Sequence, residues 1–176
     1  MGSPESTLIA TERLDIRPLR SADLGSILDL YSDPDAMRWA GGSTTDVDES
    51  EQRLQRLIDH QEAHGFSLWA VTERESGTVI GDCGLIHYAF KGPEVELGYR
   101  LKVPFWGKGY ATEAARAVLA YGFEEVGLVR IVAVAHPENV ASQRVLEKIG
   151  MRREGFAEYN GKRVMYFAAG AKRDDQ

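Results

Sequence analysis

The spacing of apolar side chains changes several times along the chain, and each change predicts a new element of secondary structure. Alternating patterns and short β-branched runs are typical of strands. Seven segments have these patterns: 8–19, 66–74, 78–90, 94–103, 128–135, 151–159 and 163–169. The turns at 75–77 and 91–93 are short, which favours antiparallel pairing of the strands on either side.

Apolar residues spaced three and four apart predict four helices between these strands. Each helix starts at a cap-forming or turn residue and stops before a proline or a glycine. Their limits are 21–33, 46–64, 109–126 and 139–149. The glycine-rich segment 39–45 is predicted to be a loop. The order is therefore strand, two helices, three strands, helix, strand, helix and two strands.

Length and composition indicate one ordinary globular domain. A chain of 176 residues fits a single core, and we expect a domain over 8–170 with flexible termini at 1–7 and 171–176. The content of 43% hydrophobic and 27% charged residues is that of a soluble protein. Neither a run of roughly 18 apolar residues nor a signal peptide is evident, so we expect a cytoplasmic protein without membrane contact. The net charge of −6 disfavours binding to nucleic acid and suits a cationic substrate.

The single cysteine, Cys83, cannot form a disulfide within the chain. Its position between Ile80 and Leu85 predicts a buried strand thiol. A nucleophilic thiol would need a basic neighbour, which the sequence does not offer.

Two histidines, His60 and His64, share one face of the second predicted helix, a spacing that two zinc ligands can have. The zinc-protease motif needs Glu after the first histidine, and Gln61 stands there. The sequence therefore favours a solvent-exposed helix face without a metal site. His87 and His136 add no ligand spacing.

Residues 97–114 run from a strand through a tight turn into a helix. Gly107 and Gly109 allow backbone angles at which successive N–H groups converge on one anion, and Lys108 adds a full positive charge. The helix start also favours a phosphate group, although a tight turn without a ligand would contain glycines as well. A Walker turn and a dinucleotide fingerprint are excluded, because neither Ser nor Thr follows Lys108 and Thr112 replaces the third glycine.

Three segments in this order resemble the motifs of one enzyme family. They are Thr11-Glu12-Arg13-Leu14-x-Ile16-Arg17-Pro18, Gly107-Lys108-Gly109-Tyr110-Ala111-Thr112-Glu113-Ala114 and Asn139-x-x-Ser142-x-Arg144-Val145-Leu146-Glu147-Lys148-Ile149-Gly150-Met151. Residues 8–167 thus resemble the GCN5-related N-acetyltransferase (GNAT) family, in particular its RimJ/RimL-like branch, which acetylates ribosomal proteins at their N-termini. The resemblance implies transfer of an acetyl group from acetyl-CoA to a primary amine by direct attack in a ternary complex.

The resemblance also implies an α+β fold, with a mixed, mostly antiparallel, curved sheet of about seven strands flanked by about four helices. This sheet splays open between strands 4 and 5, and acetyl-CoA lies in the gap. Backbone groups of Tyr99, Leu101 and Val103 are expected to pair with the pantetheine arm. The other expected cofactor contacts lie on the glycine turn and the last helix: Trp106, Gly107, Lys108, Gly109, Tyr110, Ala111, Thr112, Asn139, Ser142 and Arg144.

Two positions depart from the family pattern. Trp106 stands where many members have Gln or Arg, although Trp is common in the ribosomal branch. Leu146 stands where many members have the Tyr that protonates the departing thiolate. Ser142 is the candidate for that task, because its hydroxyl can face inward from the helix, and simple packing is the alternative role. Asn139 has an N-cap role and an implied role at the pantetheine.

Glu96 is the candidate general base, since it lies on the strand expected to line the cleft and the family has an acidic residue there; a water chain that leads to a carboxylate could serve instead. The alternative is a solvated strand residue that pairs with a neighbour. The resemblance assigns substrate choice to Trp39, Gly41, Gly42 and the helix from Asp46.

The acceptor stays open between a protein N-terminus, a polyamine, an antibiotic and another small amine. A non-catalytic acyl-CoA-binding or interaction protein is the alternative function, since it would keep the same cofactor motifs. If the chain assembles, a homodimer is the commonest form.

Overall fold

One eight-stranded sheet runs through the computed structural model, which describes residues 9–171. Its strands are β1 (Ile9–Ala10), β2 (Leu14–Pro18), β3 (Leu68–Glu73), β4 (Val79–His87), β5 (Val95–Leu101), β6 (Arg130–Ala135), β7 (Arg152–Tyr159) and β8 (Lys162–Gly170). Their order is β1-β2-β3-β4-β5-β6-β8-β7, and each neighbouring pair is antiparallel except β5 with β6. The predicted mixed, mostly antiparallel sheet is confirmed.

Four α-helices accompany the sheet in the described residues, in the predicted order along the chain. They are α1 (Leu24–Tyr31), α2 (Val47–His64), α3 (Tyr110–Glu124) and α4 (Val140–Lys148). None of these helices is long and apolar enough to cross a membrane.

The segment 8–19, predicted as one strand, contains two strands and a turn. Thr11 N–H donates to Leu14 O at 2.9 Å, and Thr11 Oγ1 accepts from Leu14 N–H at 3.0 Å. These bonds reverse the chain, so that β1 folds back on β2. The sheet therefore has eight strands rather than seven.

The ends of the chain are described only in part. Apart from Ala171, the termini predicted to be flexible, 1–7 and 171–176, lie outside the described residues, as does Leu8. Ala171 N–H donates to Val129 O at 3.0 Å, which anchors the chain just after β8.

The first helix begins later than the sequence predicts. Ser21–Asp23 form a single 3-10 turn, and α1 starts at Leu24. The Asp23 carboxylate accepts from the Arg17 guanidinium at 2.8 and 2.9 Å and from Arg20 N–H at 2.8 Å. Burial opposes the ionisation of Asp23, but these bonds outweigh it and hold the pKa of its carboxyl below the ordinary value. The carboxylate thus fastens the turn to β2.

Two apolar layers pack on opposite faces of the sheet. The larger lies under α3, where Ala114 and Ala115 are fully buried and their small side chains let the helix approach β4 and β5. The smaller lies under α1 and α2. Cys83 is fully buried in the larger layer, as predicted, and burial raises the pKa of its thiol well above the ordinary value. This thiol therefore stays protonated and unreactive.

Gly81 on β4 lies where the backbone of β5 approaches closely. A Cβ there would stand 2.0 Å from Arg100 O and 2.9 Å from Leu101 Cα. We expect Gly81→Ala to lower the free energy of unfolding by about 1–3 kcal/mol, because two paired strands must move apart. Urea denaturation would measure the change. Gly25→Ala is the matched control, since its Cβ would meet nothing within 4 Å; equal stability of the two variants would contradict the close strand spacing.

Candidate active site

The sheet opens between β5 and β6. These strands are parallel and are paired at one register position, where Glu96 lies opposite Val132. On its other edge, β5 pairs with β4 all the way from Val95 to Leu101. Within the described residues, β5 thus has an open backbone edge beyond Glu96, which an extended ligand can complete. This gap is the splay predicted between strands 4 and 5, because division of the first strand shifts the numbering by one.

The backbone of β5 presents alternate residues to the open edge. Lys102 N–H donates to Ile80 O on β4 at 2.8 Å, so the even-numbered residues direct their backbone groups toward β4. The N–H and C=O groups of Tyr99 and Leu101 consequently point into the gap. Leu101 O accepts from the Trp106 indole N–H at 2.8 Å. The indole ring, although half exposed, is therefore held against the strand.

The turn before α3 has the backbone shape that the sequence predicts. A 3-10 turn over Val103–Phe105 leads to Gly107 and Gly109, whose φ angles are 73° and 81°. Glu113 N–H donates to Gly109 O at 3.0 Å and closes the first helical turn. The N–H groups before it project from the helix end and can meet an anion; they belong to Tyr110, Ala111 and Thr112. Lys108 is exposed beside them.

The β1–β2 turn is hydrogen-bonded to the start of α3 through Thr11, Arg13 and Glu113, which together form a clasp. Glu113 accepts from Thr11 Oγ1 at 2.7 Å, from Arg13 N–H at 2.9 Å and from Arg13 Nε at 2.7 Å. The Arg13 guanidinium also donates to Lys108 O at 2.8 Å. Burial opposes the ionisation of Glu113, but these bonds outweigh it and keep the pKa of its carboxyl below the ordinary value. A cleft of about 370 Å³ opens beside the clasp, lined by Glu12, Arg13, Gly109, Thr112, Glu113, Arg116 and Lys148.

Two hydroxyl groups meet across the gap from β5 to α4. Tyr99 Oη lies 2.8 Å from Ser142 Oγ and 3.1 Å from Ser142 O. Asn139 Oδ1 accepts from Ser142 N–H at 3.2 Å, which confirms its predicted N-cap role. Burial raises the pKa of the Tyr99 hydroxyl well above its ordinary value, so it stays protonated. Leu146 is buried in the core, and Arg144 is exposed on α4.

Glu96 is buried, with 7% of its surface exposed. Its Oε2 accepts from the Tyr159 hydroxyl at 2.9 Å and from Ala89 N–H at 3.4 Å. Burial raises the pKa of Glu96 to about 7, against the opposing effect of these two hydrogen bonds. Glu96 is therefore not the solvated strand residue that the sequence offers as the alternative. The exposed acidic residue is Glu94, which lies just before β5 and accepts from the Tyr166 hydroxyl at 2.6 Å.

The predicted specificity loop reaches the end of β6. The Trp39 ring stacks on His136 with ring centres 4.3 Å apart and an interplanar angle of 21°. The Arg38 guanidinium lies 5.4 Å from the Trp39 ring centre. Gly41 and Gly42 follow with φ angles of 89° and 85°, which only glycine adopts freely. These turns hold Trp39 beside the strand that leads into α4.

Residues 13–152 match the family described as the acetyltransferase (GNAT) domain, which covers most of the chain. The protein belongs to the GNAT family. This GNAT protein is 34% identical over 149 residues to the uncharacterized N-acetyltransferase YnaD of Bacillus subtilis, covering 84% of both chains. It is therefore an acyltransferase, and the fold of its family uses acetyl-CoA.

Solved structures share the fold of this GNAT protein. An acetyltransferase (GNAT family) from Bacillus anthracis has a TM-score of 0.80 and 30% identity, covering 93% of this chain and 98% of that one. At 17% identity, an aminoglycoside acetyltransferase in complex with coenzyme A shares the fold alone, with a TM-score of 0.76 and coverage of 89% and 94%.

The surroundings of Glu96 in this GNAT protein could not be predicted from the sequence. Tyr159 is the last residue of β7, just before the Asn160-Gly161 turn. The Tyr88 ring meets the Tyr159 ring edge-on, with centres 5.2 Å apart. These contacts depend on β8 lying between β6 and β7, which no local pattern indicates.

The prediction that the histidine face of α2 is solvent-exposed is wrong for His60. This side chain is buried, because the end of β4 packs against the end of α2. Its Nδ1 lies 2.7 Å from Phe66 O, and its Nε2 lies 3.2 Å from His87 Nδ1. His64, one helical turn later, is exposed as predicted.

Proposed function

We propose that this protein acetylates a primary amine by direct attack of the free amine on acetyl-CoA, with Glu96 as the general base. The observation that supports this most is a buried carboxyl group at the point where β5 and β6 part. Its pKa of about 7 suits the task, because a general base works best when its pKa lies near the operating pH. An ordinary surface carboxylate would be a weaker base.

The cofactor would lie along the open edge of β5, with its diphosphate at the start of α3. The projecting N–H groups and the Lys108 charge form an anion site there. Arg116 and Lys148 line the adjoining cleft and add local positive charge to a chain of net charge −6. The backbone of Tyr99 can pair with pantetheine amides. Leu101 can offer its N–H, whereas the Trp106 indole engages its C=O.

The acceptor that best matches this base is an α-amine. Transfer of a proton from an α-ammonium of pKa ~7.8 to a group of pKa about 7 costs about 1 kcal/mol. Transfer from a lysine ammonium of pKa ~10.4 costs about 5 kcal/mol. The aromatic rings of Tyr88 and Tyr159 beside Glu96 also suit a cationic group. A protein or peptide N-terminus is therefore the preferred acceptor, in keeping with the resemblance to the ribosomal branch.

The departing thiolate would receive a hydrogen bond from Ser142, because Leu146 cannot supply a proton. In this arrangement the Tyr99 hydrogen points to Ser142 Oγ at 2.8 Å rather than to Ser142 O at 3.1 Å, which leaves the Ser142 hydrogen free to point to the sulfur. Either hydroxyl can donate at their 2.8 Å separation. Tyr99 is thus a positioning residue that acts through Ser142.

Ser142→Ala is expected to lower kcat by about 10- to 100-fold with little change in the KM for acetyl-CoA, since a hydrogen bond to a charged group contributes about 1.5–3 kcal/mol. Ser142→Thr keeps a hydroxyl and should restore most of the rate. Tyr99→Phe should slow the enzyme less, and the double variant should be no slower than Ser142→Ala. Steady-state kinetics would measure this, and independent, additive losses would contradict the coupled pair.

The proposed function is tested by thiol release from acetyl-CoA in the presence of candidate acceptors. The panel would contain peptides with different first residues, the same peptides with blocked N-termini but a free lysine, and small primary amines. We expect release with free α-amines and much slower release with blocked peptides. Calorimetric titration with coenzyme A would be done first. Tight binding without thiol release from any acceptor would contradict amine acetylation, and absence of binding would contradict the cofactor site.

A further inference from the structure

Three of the four histidines in the chain come together at one end of the sheet. His60 and His64 lie one turn apart on α2, and His87 is the last residue of β4. One ring nitrogen from each lies within 4.8 Å of the other two. We propose that His60, His64 and His87 bind one divalent transition-metal ion of the Zn²⁺ class. This site is independent of the proposed acetyl transfer.

The spacing of the ring nitrogens suits such an ion. Tetrahedral zinc sites have Zn–N distances of about 2.0–2.1 Å, which separate neighbouring ligand nitrogens by about 3.3 Å. His60 Nε2 and His87 Nδ1 are 3.2 Å apart. The exposed side chain of His64 has the freedom to close the remaining distance by rotation. Three imidazoles leave one coordination position for water or another small ligand.

The tautomer of His60 is fixed in the form that a metal requires. Its Nδ1 lies 2.7 Å from Phe66 O, and a carbonyl oxygen only accepts, so Nδ1 carries the hydrogen. The lone pair of Nε2 then accepts from His87 N–H at 3.2 Å and also lies 3.2 Å from His87 Nδ1, so a bound ion would replace this backbone hydrogen bond. Metal-bound histidines usually have such a carbonyl or carboxylate partner on the second nitrogen, which orients the ring.

His87, the third proposed ligand, lies against the loop that follows β4. A Cβ on Gly92 would stand 3.1 Å from His87 Cδ2, so the absence of a side chain lets this loop lie against the ring. The His60 ring meets Phe66 and Phe90 edge-on, with centres 5.4 and 5.9 Å away. The site is therefore apolar on two sides and open at His64, through which an ion can enter. A bound ion would join the end of α2 to β4.

The experiment uses the full chain without a polyhistidine tag, after treatment with a chelator and removal of the chelator. Calorimetric titration with Zn²⁺ should give one ion per chain with a Kd of about 1 μM or lower. Titration with Co²⁺ should give the visible absorption of a tetrahedral nitrogen-ligated ion. At Zn²⁺ concentrations of a hundred times the Kd, Tm should rise by about 5 °C or more.

Variants separate this site from adventitious binding. His64→Ala should fold normally, because the side chain is exposed, and should bind Zn²⁺ at least about a hundredfold more weakly. His87→Gln should also bind Zn²⁺ at least about a hundredfold more weakly. Both variants should lose the Zn²⁺-dependent rise in Tm. His136→Ala is the matched control, since it removes the one histidine outside the cluster, and should bind as the wild type does. Wild-type Kd values above about 100 μM, or an unchanged affinity in His64→Ala, would overturn the proposal.

Discussion

Glu96→Gln is expected to lower kcat/KM for a peptide α-amine by about 10²- to 10⁴-fold, the range of general-base assistance. Gln has the size of Glu and can still accept from the Tyr159 hydroxyl, but it cannot take up a proton. Thiol release from acetyl-CoA would measure the loss. Glu94→Gln is the matched control, because that exposed carboxylate bonds to Tyr166 rather than to the neighbours of Glu96; it should retain the wild-type pH profile.

The pH profile should identify the same group. Burial raises the pKa of Glu96 to about 7, so its carboxylate form is lost as the pH falls through that value. The wild-type kcat/KM should therefore rise with pH across about 7, and Glu96→Gln should lack this limb and follow only the ionisation of the acceptor. Tyr159→Phe removes a hydrogen bond that lowers the pKa of Glu96, so it should move the limb to higher pH. An unchanged rate and profile in Glu96→Gln would exclude this base.

Loss of the fold would not explain a slow Glu96→Gln enzyme. The raised pKa means that the folded protein holds the proton more tightly than the unfolded chain does. Ionised Glu96 therefore destabilises the fold increasingly as the pH rises from about 4.5 to about 7. The amide has no such charge to bury. Urea denaturation at pH 8 should find the variant at least as stable as the wild type, which separates lost catalysis from lost structure.

Features that depend on neighbouring residues could be predicted from the sequence. The buried face of α3 follows from apolar spacing alone, because a helix turns by a fixed angle at each residue. Five residues with this spacing are buried there: Ala114, Ala115, Val118, Leu119 and Gly122. The glycine turn before α3 and the N-cap at Asn139 were likewise predictable, since each depends on a residue type at one position.

Features that depend on distant residues could not be predicted. The turn that divides the first strand is closed by local bonds between Thr11 and Leu14, but Thr11 and Arg13 are also held by Glu113, about one hundred positions away. Glu96 owes its burial and its pKa in part to Tyr159, 63 positions later. Periodicity on β5 alone indicates only that Glu96 alternates with apolar neighbours. The chemistry of this carboxyl comes from strand order, and strand order has no local signature in the sequence.

Asp82→Ala is expected to lower the free energy of unfolding by about 3–5 kcal/mol, the usual cost of leaving one member of a buried ion pair alone. Asp82 is fully buried on β4, and Arg100 on β5 donates to it through Nε at 3.0 Å and through Nη2. The guanidinium also lies 5.2 Å from the Tyr31 ring centre. Without the carboxylate, a positive charge would remain between the sheet and α1. Urea denaturation at pH 7 would measure the loss.

An exposed ion pair of similar geometry provides the control. Arg130 and Glu154 are each 43% exposed, so Glu154→Ala should lower the free energy of unfolding by less than about 1 kcal/mol. The double variant Asp82→Ala/Arg100→Met should regain much of the stability lost in Asp82→Ala, because it removes the unpartnered charge and fills the space with an apolar chain. If Asp82→Ala cost no more than Glu154→Ala, the ion pair would not be desolvated. In that case water would reach the face of β5 that bears Arg100 and Glu96. Burial would then no longer explain the raised pKa of Glu96.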